Sequence, residues 1–171
     1  MIASRRAFLL LSAAGVMAGC SAPMVAEPQA ASDAREAAFA DSAFRQLTDA
    51  QWRVRLSPAA FDVLRREGTE RAGASPLDQE KRPGVFHCAG CDLPLFRSEW
   101  KYESGTGWPS FWDVMKSNIG TKRDFVIGYP RIEYHCARCL GHQGHVFDDG
   151  PRPTGLRYCN NGVALRFAAT A

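Results

Sequence analysis

Two Cys-x-x-Cys pairs constrain the fold of this chain more than any other feature of its sequence. Cys88 and Cys91 form the first pair, and Cys136 and Cys139 form the second, with residues 92–135 between them. Two intervening residues allow both sulfurs of a pair to face one ion, and two pairs supply the four thiolates of a closed tetrahedral zinc site. Such a site is structural rather than catalytic, because it has no open position. We therefore predict one structural zinc ion that joins two distant segments of the chain.

Two other interpretations of the paired cysteines remain open at this point. They could form two redox-active disulfides, or one pair could be a coincidence. A thioredoxin-like motif would need a βαβ context, which the surrounding pattern lacks. His87 and His135 each precede a pair, and we interpret both as strand residues because four sulfurs already complete the coordination of zinc.

The first 20 residues are predicted to be an export signal rather than part of the fold. Arg5 and Arg6 precede an apolar run over residues 7–18 that is too short to cross a bilayer as a helix. Residues 4–9 resemble a twin-arginine signal, and residues 17–20 resemble a lipobox that ends at Cys20. We predict export to the periplasm and anchoring to the membrane as a lipoprotein through lipidated Cys20. The alternative is simple cleavage that releases a soluble protein.

The chain changes character at about residue 45 and again at Gly84. Residues 21–45 are rich in Ala, Ser, Pro and Glu and are predicted to form a tether, with a short helix around residues 34–44. Thr48 and Ser57 have the spacing of helix N-caps, so two short helices should start there, the second ending near Gly68. Residues 69–83 are polar and rich in turn formers, which indicates a loop.

From Gly84 onward, short β-prone runs alternate with Gly and Pro, without long helical periodicity. The predicted fold class is mainly β, with antiparallel strands after short N-terminal helices, in one domain over residues 46–171. A net charge of +3 is too small to predict nucleic acid binding, and we expect a monomer. The predicted strands span residues 85–88, 125–129, 132–136 and 163–167.

Cys159 is the cysteine that the two pairs leave without a partner. A free cysteine is often a buried inert thiol, but the residues around this one favour catalysis. The cation of Arg157 would lower the pKa of a nearby thiol and favour the nucleophilic thiolate. His142 and His145 lie three residues apart among glycines, and on a loop both could face one pocket. They could also bind metal, although no third ligand stands at a recognisable spacing; Asn161 could donate a hydrogen bond near the sulfur.

Trp108 lies in an unusual stretch over residues 103–112. Gly105 and Gly107 allow sharp backbone turns, and Pro109 favours an extended Trp108 that presents its ring at a surface. The alternative is that the ring simply belongs to the core. An indole beside a thiolate would suit recognition of a methyl group on sulfur, because sulfur groups pack favourably against aromatic rings.

Several motifs follow one another along the chain: Trp52, both cysteine pairs, and residues 66–70, 94–96, 104–111, 144–147, 149–151 and 153–161. With these motifs, residues 47–167 resemble a known family, methionine sulfoxide reductase type B. The resemblance implies two small antiparallel sheets, a zinc ion on the four paired cysteines, and reduction of the R epimer of methionine sulfoxide in proteins or peptides.

The resemblance also implies a role for each candidate residue. Cys159 would be the nucleophile and would become a sulfenic acid, the reversible first step of thiol oxidation. His145 would protonate the oxygen that leaves the substrate. Trp108 would pack on the substrate methyl, and His142, His145 and Asn161 would hold the sulfoxide oxygen or its water. Arg157 would stabilise the thiolate.

Thr106 departs from many relatives, which carry a resolving cysteine between the two glycines before the tryptophan. We therefore predict that an external thioredoxin-like dithiol protein reduces the Cys159 sulfenic acid directly, whereas use of a zinc-site cysteine is a less favoured route. One rival hypothesis is a non-enzymatic, zinc-stapled β module that binds a peptide or protein partner through Trp108. Another is a thiol enzyme that binds a thiol adduct at the metal, which a closed four-thiolate site disfavours.

Overall fold

The structure of the protein is a computed structural model that describes residues 29–170. It confirms a mainly β fold made of two antiparallel sheets. The predicted signal over residues 1–20, including Cys20, lies outside the described residues. The helices are α1 (Gln29–Ala37), α2 (Asp49–Arg55) and α3 (Pro58–Arg66), and the strands are β1 (Gly84–Cys88), β2 (Pro94–Arg97), β3 (Lys101–Tyr102), β4 (Ser110–Phe111), β5 (Ile119–Asp124), β6 (Arg131–Cys136), β7 (His142–Phe147), β8 (Arg157–Asn160) and β9 (Leu165–Ala169).

The two predicted helix starts are confirmed. Thr48 caps α2 in a reciprocal capping box with Gln51, and Ser57 caps α3 with Pro58 in the first turn. Helix α3 ends at Glu67, which adopts the left-handed conformation (φ 58°), one residue before the predicted stop at Gly68. Its buried face contributes Phe61, Val63 and Leu64 to the core.

Part of the segment predicted as a tether packs against the sheet. Strand β5 is an edge strand of the larger sheet, and α1 supplies partners for its backbone. The Thr121 N–H donates to the fully buried Ser32 Oγ (2.7 Å), and Arg35 donates to the Ile119 carbonyl (2.8 Å). Covering an edge in this way satisfies groups that would otherwise pair with another chain. A short helix was predicted around residues 34–44, but α1 begins earlier, at Gln29, and ends at Ala37.

The larger sheet has the strand order β3-β4-β8-β7-β6-β5, and the smaller has the order β2-β1-β9. Phenylalanines of both sheets meet in the core, where the Phe96 and Phe111 rings stack at 4.1 Å and Phe86 meets Phe111 edge-on at 5.0 Å. All three are fully buried, and each stabilises the fold by roughly 1.5–3 kcal/mol. In the larger sheet, strand β8 lies between β4 and β7.

One predicted strand is wrong. Residues 125–129 form the turn between β5 and β6. Their β-branched and aromatic side chains resemble a strand, but Gly128 (φ 86°) and Pro130 impose the reversal. The predicted strands over residues 85–88 and 132–136 correspond to β1 and β6, whereas the one over 163–167 begins as a 3₁₀ helix, Gly162–Ala164, and continues as β9.

Within residues 29–170, none of the helices has the length and apolar character that crossing a membrane requires.

Candidate active site

A cleft of about 290 Å³ opens on the face where β7 and β8 lie side by side. Five of the six residues predicted to be catalytic line it, together with Thr106. The sixth, His142, is not among the lining residues. The lining residues are Thr69, Thr106, Trp108, Arg131, Gly144, His145, Phe147, Arg157, Cys159, Asn160 and Asn161.

Cys159 occupies the middle of this cleft because β8 is paired on both sides. It lies opposite His145 of β7 and opposite Ser110 of β4. Its side chain is partly exposed, so its sulfur is not sealed in apolar packing. In the described residues, the other cysteines are the four buried ones of the predicted zinc site. Cys159 is therefore the cysteine that a substrate in the cleft can reach.

A β-bulge explains how His142 and His145 lie on the same side of β7. Residues three apart on a regular strand point to opposite faces. Here Gln143 is an extra residue, since Tyr134 pairs with Gly144 while the next residue of β6, His135, pairs with His142. The two predicted histidine rings are consequently 5.5 Å apart.

His142 lies behind His145 rather than in the cleft. It is 3% exposed, and its Nδ1 is 3.0 Å from Glu133 Oε1. Although burial opposes it, the contacts with His142 and Lys122 lower the pKa of Glu133, which is therefore ionised. His142 thus faces a buried carboxylate, and His145 is the histidine that faces the cleft.

Asp124, at the end of β5, holds His145. Its Oδ2 is 2.7 Å from His145 Nε2 and 2.5 Å from the Arg131 guanidinium. Although partial burial opposes it, hydrogen bonds from the Val126 N–H, His145 and Arg131 lower the pKa of Asp124 to about 2. Burial lowers the pKa of His145, and the hydrogen bond that His145 donates to Asp124 offsets part of that change. The sequence did not single out Asp124, because it is 21 residues from His145 and meets it only through the β5–β6–β7 pairing.

The Cys159 thiol does not have the lowered pKa expected from its neighbours. Burial raises the pKa of the Cys159 thiol, and Arg157 and Thr106 offset only part of that increase. Arg157 also forms an ion pair with Asp149, to which it donates two hydrogen bonds of 2.7 Å. Burial therefore disfavours the thiolate of Cys159, and the ion pair with Asp149 weakens the opposing effect of the Arg157 guanidinium.

The loop after α3 fixes two cleft residues at once. The Trp108 indole Nε1–H donates to the Glu70 carbonyl (3.1 Å), and the Glu70 N–H donates to Asn161 Oδ1 (2.9 Å). The Glu70 carboxylate accepts from the N–H groups of Gly162 (2.5 Å) and Val163 (3.1 Å). Sequence reasoning assigned residues 69–83 to a loop and missed this function of Glu70, because backbone partners leave no pattern in the sequence.

The four paired cysteines meet in one buried cluster. Their sulfurs all lie within 4.8 Å of one another, with distances of 3.4 Å for Cys91–Cys136 and 3.6 Å for Cys88–Cys139. Four thiolates at Zn–S distances of about 2.3 Å would stand about 3.8 Å apart. The cluster therefore fits zinc in both its ligand type and its size. His87 and His135 are not members of this group.

Comparison with known proteins assigns the family. A family model described as the SelR domain matches residues 56–169. The chain is 49% identical over 125 residues to the peptide methionine sulfoxide reductase MsrB of Thioalkalivibrio sulfidiphilus, which covers 72% of this chain and 91% of that protein. The chain belongs to the methionine sulfoxide reductase B family. This membership confirms the resemblance that the motifs over residues 47–167 indicated.

Two further methionine sulfoxide reductase B proteins show how far the likeness extends. The MsrB of Thiobacillus denitrificans is 49% identical over 121 residues, 70% of this chain and 92% of that protein. The chloroplastic methionine sulfoxide reductase B1 of Arabidopsis thaliana is 49% identical over 127 residues, 74% of this chain. The chain spans 63% of the length of this plant relative. The SelR match starts at residue 56, so α1 and α2 precede the part that the family model covers.

Proposed function

We propose that this chain reduces methionine sulfoxide in proteins or peptides to methionine, with Cys159 as the nucleophile. The observation that carries the proposal is the position of Cys159, a reachable thiol opposite His145 in a cleft that Trp108 also lines. The family of the chain supports the same reaction, as do its relatives, which are named as peptide methionine sulfoxide reductases.

The chemical step transfers oxygen from one sulfur to another. The Cys159 sulfur attacks the sulfoxide sulfur, the S–O bond of the substrate breaks, and the oxygen ends on Cys159 as a sulfenic acid. The substrate sulfur gains two electrons and the cysteine sulfur loses two. The thiol proton ends on the sulfenic oxygen, so the step needs no other proton.

His145 is the group that moves this proton. Because its Nε2–H donates to Asp124, its Nδ1 is the nitrogen left to accept the thiol proton and return it to the oxygen. Burial raises the pKa of Cys159 and lowers that of His145, so the resting pair carries its one proton on sulfur. Arg157 stabilises the thiolate that forms during the transfer.

The substrate is held by groups whose own orientation is fixed. Trp108 presents its ring to the methyl on sulfur, and its hydrogen bond to the Glu70 carbonyl prevents the ring from turning away. Sulfur and its methyl group pack favourably on such a face. Asn161 and His145 receive the sulfoxide oxygen, while His142 acts indirectly from behind His145. We propose a preference for the R epimer, which the family resemblance implies.

Regeneration requires an external reductant. Thr106 lines the cleft beside Cys159, at the position where many relatives have a resolving cysteine. We propose that a thioredoxin-like dithiol reduces the sulfenic acid, giving Cys159 thiol, water and the disulfide of the reductant. The four clustered cysteines are buried and would hold a zinc ion. When bound, this ion would link the two segments that carry the cysteine pairs and so stabilise the fold.

The setting of the enzyme is also part of the proposal. Residues 1–20 have the pattern of an export signal with a lipobox, so we propose a periplasmic lipoprotein anchored through Cys20 that acts as a monomer on oxidised proteins.

The decisive assay measures turnover of the two N-acetyl-methionine sulfoxide epimers with dithiothreitol by wild type and Cys159→Ser. Wild type should reduce one epimer only and the variant neither. Equal activity in the variant would show that Cys159 is not the nucleophile, and mass spectrometry of the protein after one turnover should find one added oxygen on Cys159.

A further inference from the structure

The turn between β5 and β6 exposes an apolar surface beside the cleft. Its four large apolar side chains are Phe125 (60% exposed), Val126 (84%), Ile127 (48%) and Tyr129 (57%). Among the described residues, four of the six exposed large hydrophobic side chains lie in this one turn. Contiguous apolar side chains in solvent are unusual for a soluble protein and mark interaction sites. We call these four residues the hairpin tip.

The turn itself does not require apolar residues. Its reversal needs a positive φ, which Gly128 supplies (86°), and short polar residues normally occupy such positions. The tip also adds nothing to the core, since none of its side chains is buried. Its composition is therefore explained neither by the local backbone nor by packing within the described residues.

The hairpin tip is continuous with the cleft. Asp124 directly precedes the tip and bonds His145 and Arg131, both of which line the cleft. Arg131 follows Tyr129 by two residues. With a rise of about 3.3 Å per residue, the tip begins roughly 7–10 Å from the rim of the cleft. An extended peptide covers that distance with two or three residues.

We propose that the hairpin tip binds apolar residues that flank the oxidised methionine in a polypeptide substrate; this inference rests on the proposed function. Methionine is normally a core residue, so its neighbours in sequence include apolar side chains. Oxidation makes methionine polar and disrupts the core that held it. The segment that reaches the enzyme is thus an extended stretch with exposed apolar residues, and the tip matches that chemistry.

The test uses the full-length chain and three substrates of the same epimer. These are N-acetyl-methionine sulfoxide methyl ester, a nonapeptide with a central sulfoxide and Leu at the positions two and three residues away on either side, and the same peptide with Ser there. The tip variant replaces three of the four tip residues, by Phe125→Ser, Ile127→Ser and Tyr129→Ser, and keeps Val126, whose N–H bonds Asp124. The control replaces exposed apolar residues elsewhere, by Val54→Ser and Leu140→Ser.

We expect wild type to reduce the Leu peptide with a kcat/KM at least tenfold above that for the Ser peptide. The tip variant should lose this preference through a higher KM, keep its kcat/KM for the methyl ester within twofold, and unfold at the wild-type temperature. The control should behave as wild type. Equal kcat/KM values for the two peptides with wild type, or a preference that survives in the tip variant, would overturn the proposal.

Two further measurements separate this proposal from its alternatives. If wild type reduces none of the substrates, the proposed function fails, and fluorescence anisotropy of a labelled Leu peptide with an unoxidised methionine still measures binding by the tip. Vesicles of phosphatidylethanolamine and phosphatidylglycerol test a lipid surface. Vesicle binding that is lost in the tip variant, with unchanged peptide kinetics, would overturn the proposal in favour of a membrane contact.

Discussion

Replacing Glu70 should destabilise the protein and misplace two cleft residues together. The Glu70 carboxylate accepts hydrogen bonds from the Gly162 and Val163 N–H groups at the start of a 3₁₀ helix. Its backbone N–H and carbonyl hold Asn161 and Trp108. The side chain therefore fixes the backbone that positions both residues.

The structure allows the size of the effect to be worked out. A hydrogen bond to a charged group contributes about 1.5–3 kcal/mol, which gives roughly 3–6 kcal/mol for two. Glu70 is half-buried, so water will replace part of what is lost in Glu70→Ala, and we expect about 2–4 kcal/mol. For a domain of this size the unfolding midpoint falls about 3–4 °C per kcal/mol, a decrease of roughly 6–16 °C.

Glu70→Ala should also lower activity, because it displaces Trp108 and Asn161 and not because it removes a catalytic group. The backbone bonds of residue 70 to Trp108 and Asn161 persist in Glu70→Ala, but from a less fixed loop. Misplacement by about 1 Å can lower a rate roughly 100-fold, and for a partial shift we expect about a tenfold lower kcat/KM. Glu70→Gln, which keeps one acceptor oxygen, should fall between wild type and Glu70→Ala.

The assay combines differential scanning fluorimetry with kcat/KM for N-acetyl-methionine sulfoxide at 20 °C, below both midpoints. Glu99→Gln is the matched control, because Glu99 is exposed and its nearest contact with Arg97 is 3.5 Å, so it should shift the midpoint by less than about 3 °C. The reasoning is refuted if Glu70→Ala unfolds within 2 °C of wild type, or if it loses stability while kcat/KM is unchanged.

Three other perturbations test separate parts of the site. Purified protein should contain about one zinc per chain by metal analysis, and Cys139→Ser should lose both metal and folded structure by circular dichroism; a metal-free wild type that melts at the same temperature would contradict this. Asp124→Asn should lower kcat/KM and move the acidic limb of its pH profile to lower pH, because Asp124 raises the pKa of His145; an unchanged limb would remove His145 from the proton transfer. Thr106→Cys should give an intramolecular disulfide with Cys159 after one turnover, seen as the loss of two titratable thiols, whereas wild type should form none.

The parts of the fold that sequence reasoning predicted have local causes. Each cysteine pair has its own spacing, and the caps at Thr48 and Ser57 depend on residues within one turn. The cleft residues Cys159 and Trp108 stood out because a lone thiol and an indole beside glycines are chemically unusual. These signals needed no knowledge of which strands are neighbours.

The parts that were missed depend on tertiary neighbours. The start of α1 and its packing on the sheet were missed, although a helix was predicted around residues 34–44, because α1 contacts β5 through Ser32 and Arg35 rather than through an apolar face. Asp124 was missed because β5 must first pair with β6 before its last residue reaches His145. The Cys159 pKa was expected to be low from Arg157 alone, but sequence does not reveal that Asp149 shares that charge or that the sulfur is partly buried.

The cysteine cluster and the cleft are connected through one residue. Gln143, the extra residue of the β7 bulge, is fully buried, and its Nε2 donates to Cys88 Sγ (3.4 Å). The backbone carbonyl of Gln143 accepts hydrogen bonds from both the backbone N–H (2.9 Å) and the Nδ2 (3.0 Å) of Asn161. The bulge that brings His142 to the same side of β7 as His145 is therefore anchored to a sulfur of the cluster. Fixing the cluster with a metal ion stabilises the fold and, through the same contacts, fixes the histidine and the asparagine that receive the sulfoxide oxygen in the proposed reaction.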